Sequence, residues 1–148
     1  MDLDVICVLE DSDERVAWLR RVFSGYEIDH HLSVTSFVEA LKVHATTTRL
    51  RLAIFDHDLG YPRRVADGFE GDEDGTPLFN FDKDGMTGED AAKLCPELQC
   101  ATLVWSWNSD GSRRIAHAMV DKCHRVFVAR FAASVEMAAA IARAMERA

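Results

Sequence analysis

Four largely apolar runs of strand length, at residues 5–9, 50–56, 100–106 and 124–129, and a loosely alternating stretch at 26–32 are interspersed with segments whose apolar residues recur at helical spacing. A chain patterned this way buries its strands only between two layers of helices, because a strand apolar along its whole length needs a core on both faces. The helical segments read at 13–23, 37–44, 87–95, 112–120 and 133–147, which makes five β-α units with no internal repeat.

Local signals support the boundaries. Asp11, Ser12, Asp13 and Glu14 supply capping groups ahead of the stripe Val16, Leu19, Val22 and Phe23, and Gly25 stops that helix. Ser36 and Glu39 have capping-box spacing before Phe37, Ala40, Leu41 and His44, while Thr87 to Asp90 opens the third helix and Pro96 ends it. Residues 61–85 carry Asp, Glu, Gly and two of the three prolines and read as a long acidic loop inserted after strand three. The end of that loop, Asn80 to Gly85, copies half of a calcium-loop pattern, but Ala91 stands where the bidentate Glu belongs, so a solvated lid is the expectation. The order of elements predicts one α/β domain over residues 1–148, a flavodoxin-like doubly wound sheet of five parallel strands in the order 2-1-3-4-5.

Composition narrows the class. With 48% hydrophobic residues the chain can fill a core, and no run approaches the roughly 18 apolar residues of a membrane span. Met1 to Asp4 lacks the basic start of a signal peptide, so a cytoplasmic protein with no membrane partner is expected. The net charge of −8 argues against a general nucleic-acid coat and leaves room for a local basic pocket. Cys7, Cys95, Cys100 and Cys123 show no C-x-x-C spacing, which favours core thiols over a disulfide framework or structural zinc. His30 and His31, with no third ligand close in sequence, read as surface residues of strand two.

Chemistry is concentrated at the strand tips. Strand three ends in Asp56, His57 and Asp58, and in an extended chain the two carboxylates share one face while the imidazole points away. Glu10 and Asp11 follow strand one, so parallel pairing would bring three or four acids to one sheet edge, where open α/β sheets bind ligands. Ser106 and Asn108 follow strand four, and Arg113 and Arg114 start the next helix. The bland alternative is that Asp56 only caps a turn and that His57 packs beneath strand three. Trp105, opposite Ser106 by alternation, belongs to the core, whereas Trp107 is harder to bury.

The residues at these positions resemble those of response-regulator receiver domains: Glu10 and Asp11 after strand one, Asp56 after strand three, Ser106 after strand four, and a base, Arg130, three residues beyond Phe127. The resemblance implies that the acidic pair and Asp56 hold Mg²⁺, that Asp56 accepts a phosphoryl group, and that Ser106 and the base bind its oxygens. Arg130 stands where receivers have lysine, and no proline follows it. The segments Asp56-His57-Asp58-Leu59-Gly60, Thr87-Gly88-Glu89-Asp90-Ala91 and Ser106-Trp107-Asn108-Ser109-Asp110-Gly111, with Arg113, Arg114 and Met119, are more similar to the cyclic-phosphate processing receiver domain group. Trp105 replaces that group's histidine before the serine, which leaves His57 as the one imidazole in the motif.

The resemblance implies a receiver-like protein that binds a divalent cation and a phosphate group and processes cyclic phosphate or phosphoester substrates. Glu10, Asp11, Asp56 and Asp58 are the expected metal ligands, and Ser106, Asn108, Arg113, Arg114 and Arg130 the phosphate contacts. Asp56, His57, Asp58 and Ser106 are the expected catalytic set, His57 as general acid or base. The partner is a phosphorylated small molecule or a nucleic-acid end. Two other readings stay open: a stand-alone receiver phosphorylated on Asp56 that signals to a protein, and a degenerate receiver that serves only as an interaction module.

Overall fold

The structure is a computed structural model that describes residues 3–60, 64–65, 68–69, 81–129 and 135–146. Five parallel strands form one sheet: β1 (Val5–Leu9), β2 (Glu27–His31), β3 (Leu50–Phe55), β6 (Ala101–Trp105) and β7 (Val126–Ala129), in the order β2-β1-β3-β6-β7. This is the expected 2-1-3-4-5 arrangement. A separate antiparallel pair, β4 (Arg64–Val65) and β5 (Gly68–Phe69), lies within the stretch read as an irregular loop. The remaining residues of that loop up to Asn80 lie outside the described residues.

The helices are α1 (Asp13–Val22), α2 (Val34–His44), α3 (Gly88–Leu94), α4 (Ser109–Met119) and α5 (Val135–Met145). The three inner strands β1, β3 and β6 are buried along almost their whole length, which is why their sequences are apolar without alternation. On one face Leu9, Phe37, Leu41, Phe55 and Ile115 join the sheet to α2, α3 and α4; on the other Ile6, Leu19, Ile54, Trp105 and Ile141 join it to α1 and α5. Trp105 is fully buried and packs against Trp18 with ring centroids 5.7 Å apart, so it is core, whereas Trp107 is 66% exposed. All four cysteines are free and none is fully exposed. Among the described residues no helix is long and apolar enough to cross a membrane.

Two helix starts differ from the expected ones. Helix α2 is capped by Ser33, whose Oγ accepts from the Ser36 N–H, and not by Ser36 with Glu39. Starting there adds Val34 to the buried stripe of Phe37, Val38 and Leu41, which outweighs the better capping-box spacing three residues later. Helix α4 starts at Ser109 instead of Ser112, because Asn108 caps it by accepting from the Gly111 N–H at 2.7 Å. Helix α3 opens at the expected place, where Thr87 and Asp90 form a capping box.

Asp82, part of the calcium-like stretch, is buried and accepts hydrogen bonds from the backbone of Asp84, Met86 and Val34. Its carboxylate pins the end of the loop to the amino end of α2, a use the calcium pattern does not reveal. At the other end of the domain the Lys122 ammonium donates to the carbonyls of Ala92, Lys93 and Cys95 at 2.8, 2.9 and 3.0 Å, so one cation satisfies the carboxyl end of α3. Replacing Lys122 by Met is expected to destabilise the fold by about 1–3 kcal/mol, read as a lower urea midpoint with an unchanged m value.

Candidate functional site

The carboxyl ends of β1, β3 and β6 bring Glu10, Asp11, Asp56 and Ser106 to one edge of the sheet. The ladder continues past the strand ends, since the backbone N–H groups of Glu10, Asp56 and Ser106 bond to the carbonyls of His31, Leu9 and Ala129 at 3.1, 3.1 and 3.4 Å. Carboxylate oxygens of Glu10, Asp11 and Asp56 all lie within 4.8 Å of one another. Glu10 and Asp56 are buried, and Glu10 Oε2 and Asp56 Oδ1 have no hydrogen-bond partner among the described residues.

Three acids packed this closely cannot all ionise without a counter-charge. Burial, reinforced by a hydrogen bond to Asp11, pushes the Glu10 carboxyl up to about 7. Burial, then the charges of Glu10 and Asp11, push Asp56 up to about 9, against a hydrogen bond from Ser106 that pulls it down. Arg15 of α1, which the sequence reading missed, partly compensates, its guanidinium 3.1 Å from Glu10 and 3.8 Å from Asp11. Its place four residues after Asp11, one helical turn on, was the available signal. Hard oxygen donors with two unpartnered lone-pair oxygens suit a magnesium-sized cation.

The other half of the motif serves a different cluster. His57 is 5% exposed, and its Nδ1 lies 2.7 Å from Asp58 Oδ1, which also accepts from Asn108 Nδ2 at 3.1 Å. With the carboxylate accepting, Nδ1 is the donor of this pair. Asp58 therefore turns to His57 and Asn108 instead of joining Asp56, because the chain leaves extended geometry after Phe55. Those two partners hold its carboxyl low, against the desolvation that acts in the opposite direction.

Glycines make this packing possible. A Cβ on Gly111 would overlap the His57 ring, lying 2.6 Å from Cδ2, and one on Gly88 would overlap the Asp56 carbonyl oxygen. Gly60 adopts φ +80°, and a Cβ there would lie 2.6 Å from Asp11 Oδ2. The spacing of Asn108 and Gly111 is thus explained by His57 and Asp58: one residue holds the carboxylate, the other makes room for the ring.

The expected basic contacts are spread out. Arg113 is exposed and pairs with Asp110 at 3.1 Å, and Arg114 Nε bonds Glu89 at 2.9 Å across α3 and α4. Arg130 lies outside the described residues. Asn108 caps α4 with its oxygen, and its own backbone N–H reaches Ser106 Oγ at 3.2 Å.

Solved structures with the same architecture include a response regulator receiver domain protein from Clostridium thermocellum, with 15% identity, a TM-score of 0.54 and coverage of 97% of this chain and 94% of that one. The BeF3-activated DrrB receiver domain matches with 11% identity and a TM-score of 0.53 over 99% of this chain and 100% of its own. This is a receiver fold. A response regulator from Burkholderia pseudomallei, solved with a phosphorylated aspartic acid, a calcium ion and citrate, shares it at 16% identity and a TM-score of 0.50, over 98% of this chain and 67% of that one. No family model matches the chain, and no curated protein sequence does. At these identities the likeness is one of receiver architecture, and the chemistry must be argued from this chain's own side chains.

Proposed function

We propose that this receiver-like protein binds a divalent cation, Mg²⁺ in the first instance, through Glu10, Asp11 and Asp56, and processes a phosphoester or cyclic phosphate held beside Ser106. The observation that carries the proposal is the pair of buried, unpartnered carboxylate oxygens on Glu10 and Asp56, which leave a cation-sized demand at the sheet edge. A cation bound there would offset the negative charge of the phosphate group. Ser106 Oγ donates to a phosphate oxygen, and the amino end of α4 adds its dipole. Arg113, Arg114 and Arg130 are the proposed sources of positive charge. The Asp58–His57 pair is the proton-transfer group, Asp58 fixing the ring through Nδ1. The four free thiols suit a reducing compartment, and a cytoplasmic location belongs to this reading.

A second reading is favoured by a specific observation. His57 is almost fully enclosed, with Gly111 against its ring, which suits a packing role, and the Asp56 carboxylate then accepts the phosphoryl group itself in response to a signalling partner.

Two incubations separate the readings. Incubation with a 2′,3′-cyclic nucleotide and Mg²⁺ is expected to open the ring, and His57→Ala to slow the reaction by about 10²-fold or more. Incubation with a small phosphodonor is expected to label the wild type and spare Asp56→Asn if the second reading holds. Ring opening that is indifferent to His57 makes the imidazole structural, and the absence of both Mg²⁺-dependent reactions sinks the proposed function.

A further inference from the structure

Toward the outer edge of the sheet lies a second cluster of metal-ligating side chains. Cys7 of β1 stands opposite Asp29 of β2 in the ladder, and both face α2. His31, two residues beyond Asp29, projects to the same face, and Cys7, Asp29 and His31 each offer a ligand atom within 4.8 Å of the others. Cys7 Sγ is 3.9 Å from Asp29 Oδ2, and His31 Nε2 is 2.9 Å from Asp29 Oδ1. His44, from the last turn of α2, places Nε2 2.8 Å from Asp29 Oδ2.

The hydrogen bonding of His31 fixes which nitrogen faces the cluster. Ser36 Oγ lies 2.9 Å from His31 Nδ1 and holds that side of the ring, which leaves Nε2 toward Asp29. Nε2 is buried and lies 2.9 Å from the Asp29 carboxylate in a geometry that aligns no hydrogen bond. A proton on Nε2 bridges this pair in the metal-free chain, and a metal ion would take its place. A hydrogen bond holding the far nitrogen of the ring is the usual way a ligating histidine is oriented.

We propose that Cys7, Asp29 and His31, completed by His44, bind a zinc-like transition-metal ion at a site separate from the carboxylate cluster. Sulfur, imidazole and carboxylate donors match zinc and not magnesium. Zinc bonds of roughly 2.0–2.3 Å put tetrahedral ligand atoms about 3.5 Å apart, so side-chain adjustments alone close the site. The sequence argument against zinc relied on cysteine spacing, which cannot register ligands gathered across a strand ladder.

Titration of the full chain, stripped of metal by a chelator, with Co²⁺ in excess Mg²⁺ tests the proposal. One Co²⁺ per chain is expected to give tetrahedral d–d bands and a near-ultraviolet thiolate charge-transfer band, both displaced by Zn²⁺. Cys7→Ser abolishes the charge-transfer band, and Ser36→Ala weakens binding by about tenfold or more. Asp29→Asn, at a half-buried position, weakens binding while the Cys7 thiol itself is retained. Asp56→Asn leaves the band intact, which separates this site from the proposed Mg²⁺ site. A spectrum without a thiolate band, or a band that survives Cys7→Ser or is indifferent to Asp29→Asn, overturns the proposal.

Discussion

Asp56→Asn is expected to abolish Mg²⁺-dependent phosphate chemistry, by about 10³-fold or more, and at the same time to make the metal-free protein more stable above neutral pH. Folded-state values of about 9 for Asp56 and about 7 for Glu10 lie above their ordinary 3.8 and 4.5. The folded chain therefore holds protons that the unfolded chain has released. Stability present in acid is lost as pH rises through that window, at about 1.4 kcal/mol per pH unit for each retained proton. Removing the Asp56 charge relieves the repulsion from Glu10 and Asp11 and flattens the profile. Added Mg²⁺ does the same for the wild type, so the gain in melting temperature on adding Mg²⁺ should be larger at pH 8 than at pH 6. Thermal unfolding across that range checks both statements. A wild-type profile that is flat without metal would show that the carboxylates are not in contact with one another.

Gly88→Ala is the second substitution expected to have a large effect. The added methyl would meet the Asp56 carbonyl oxygen and sit 2.9 Å from the His57 Cα, atoms of backbone that cannot rotate away. The Gly88 N–H also donates to the His57 carbonyl at 3.0 Å, so α3 is fixed against the strand end at the point where the methyl would go. The clash must be relieved by moving α3 or the Asp56 backbone, at about 1–3 kcal/mol or more. Because Asp56 moves with it, Mg²⁺ affinity should fall with stability. Denaturant unfolding and Mg²⁺ titration of the variant measure the two together, and a variant with native stability and affinity would show that α3 does not press on the site.

The sheet order, the buried strands and the meeting of Glu10, Asp11 and Asp56 were legible in the sequence because each rests on a pattern of a few residues: apolar runs, a period of two, and acids at strand ends. The start of α2 was misplaced because two serines compete as caps, and burial of Val34 decides between them. Asp58 was assigned to the cation by extending the strand geometry beyond Phe55, where the chain turns and the carboxylate finds His57 and Asn108. Asp82 and the Cys7, Asp29, His31 and His44 cluster depend on contacts between residues up to 48 positions apart, about which local patterns carry no information.

The backbone bonds that continue the ladder beneath Glu10, Asp56 and Ser106 have a mechanical meaning. Three of the groups that would meet an anion and its counter-ion are anchored to neighbouring strands, so little freedom is surrendered when a ligand arrives. A stiff floor cannot absorb the charge it captures by sagging. Whatever rearrangement follows must pass upward, into the turn from His57 to Gly60 and the first turn of α4.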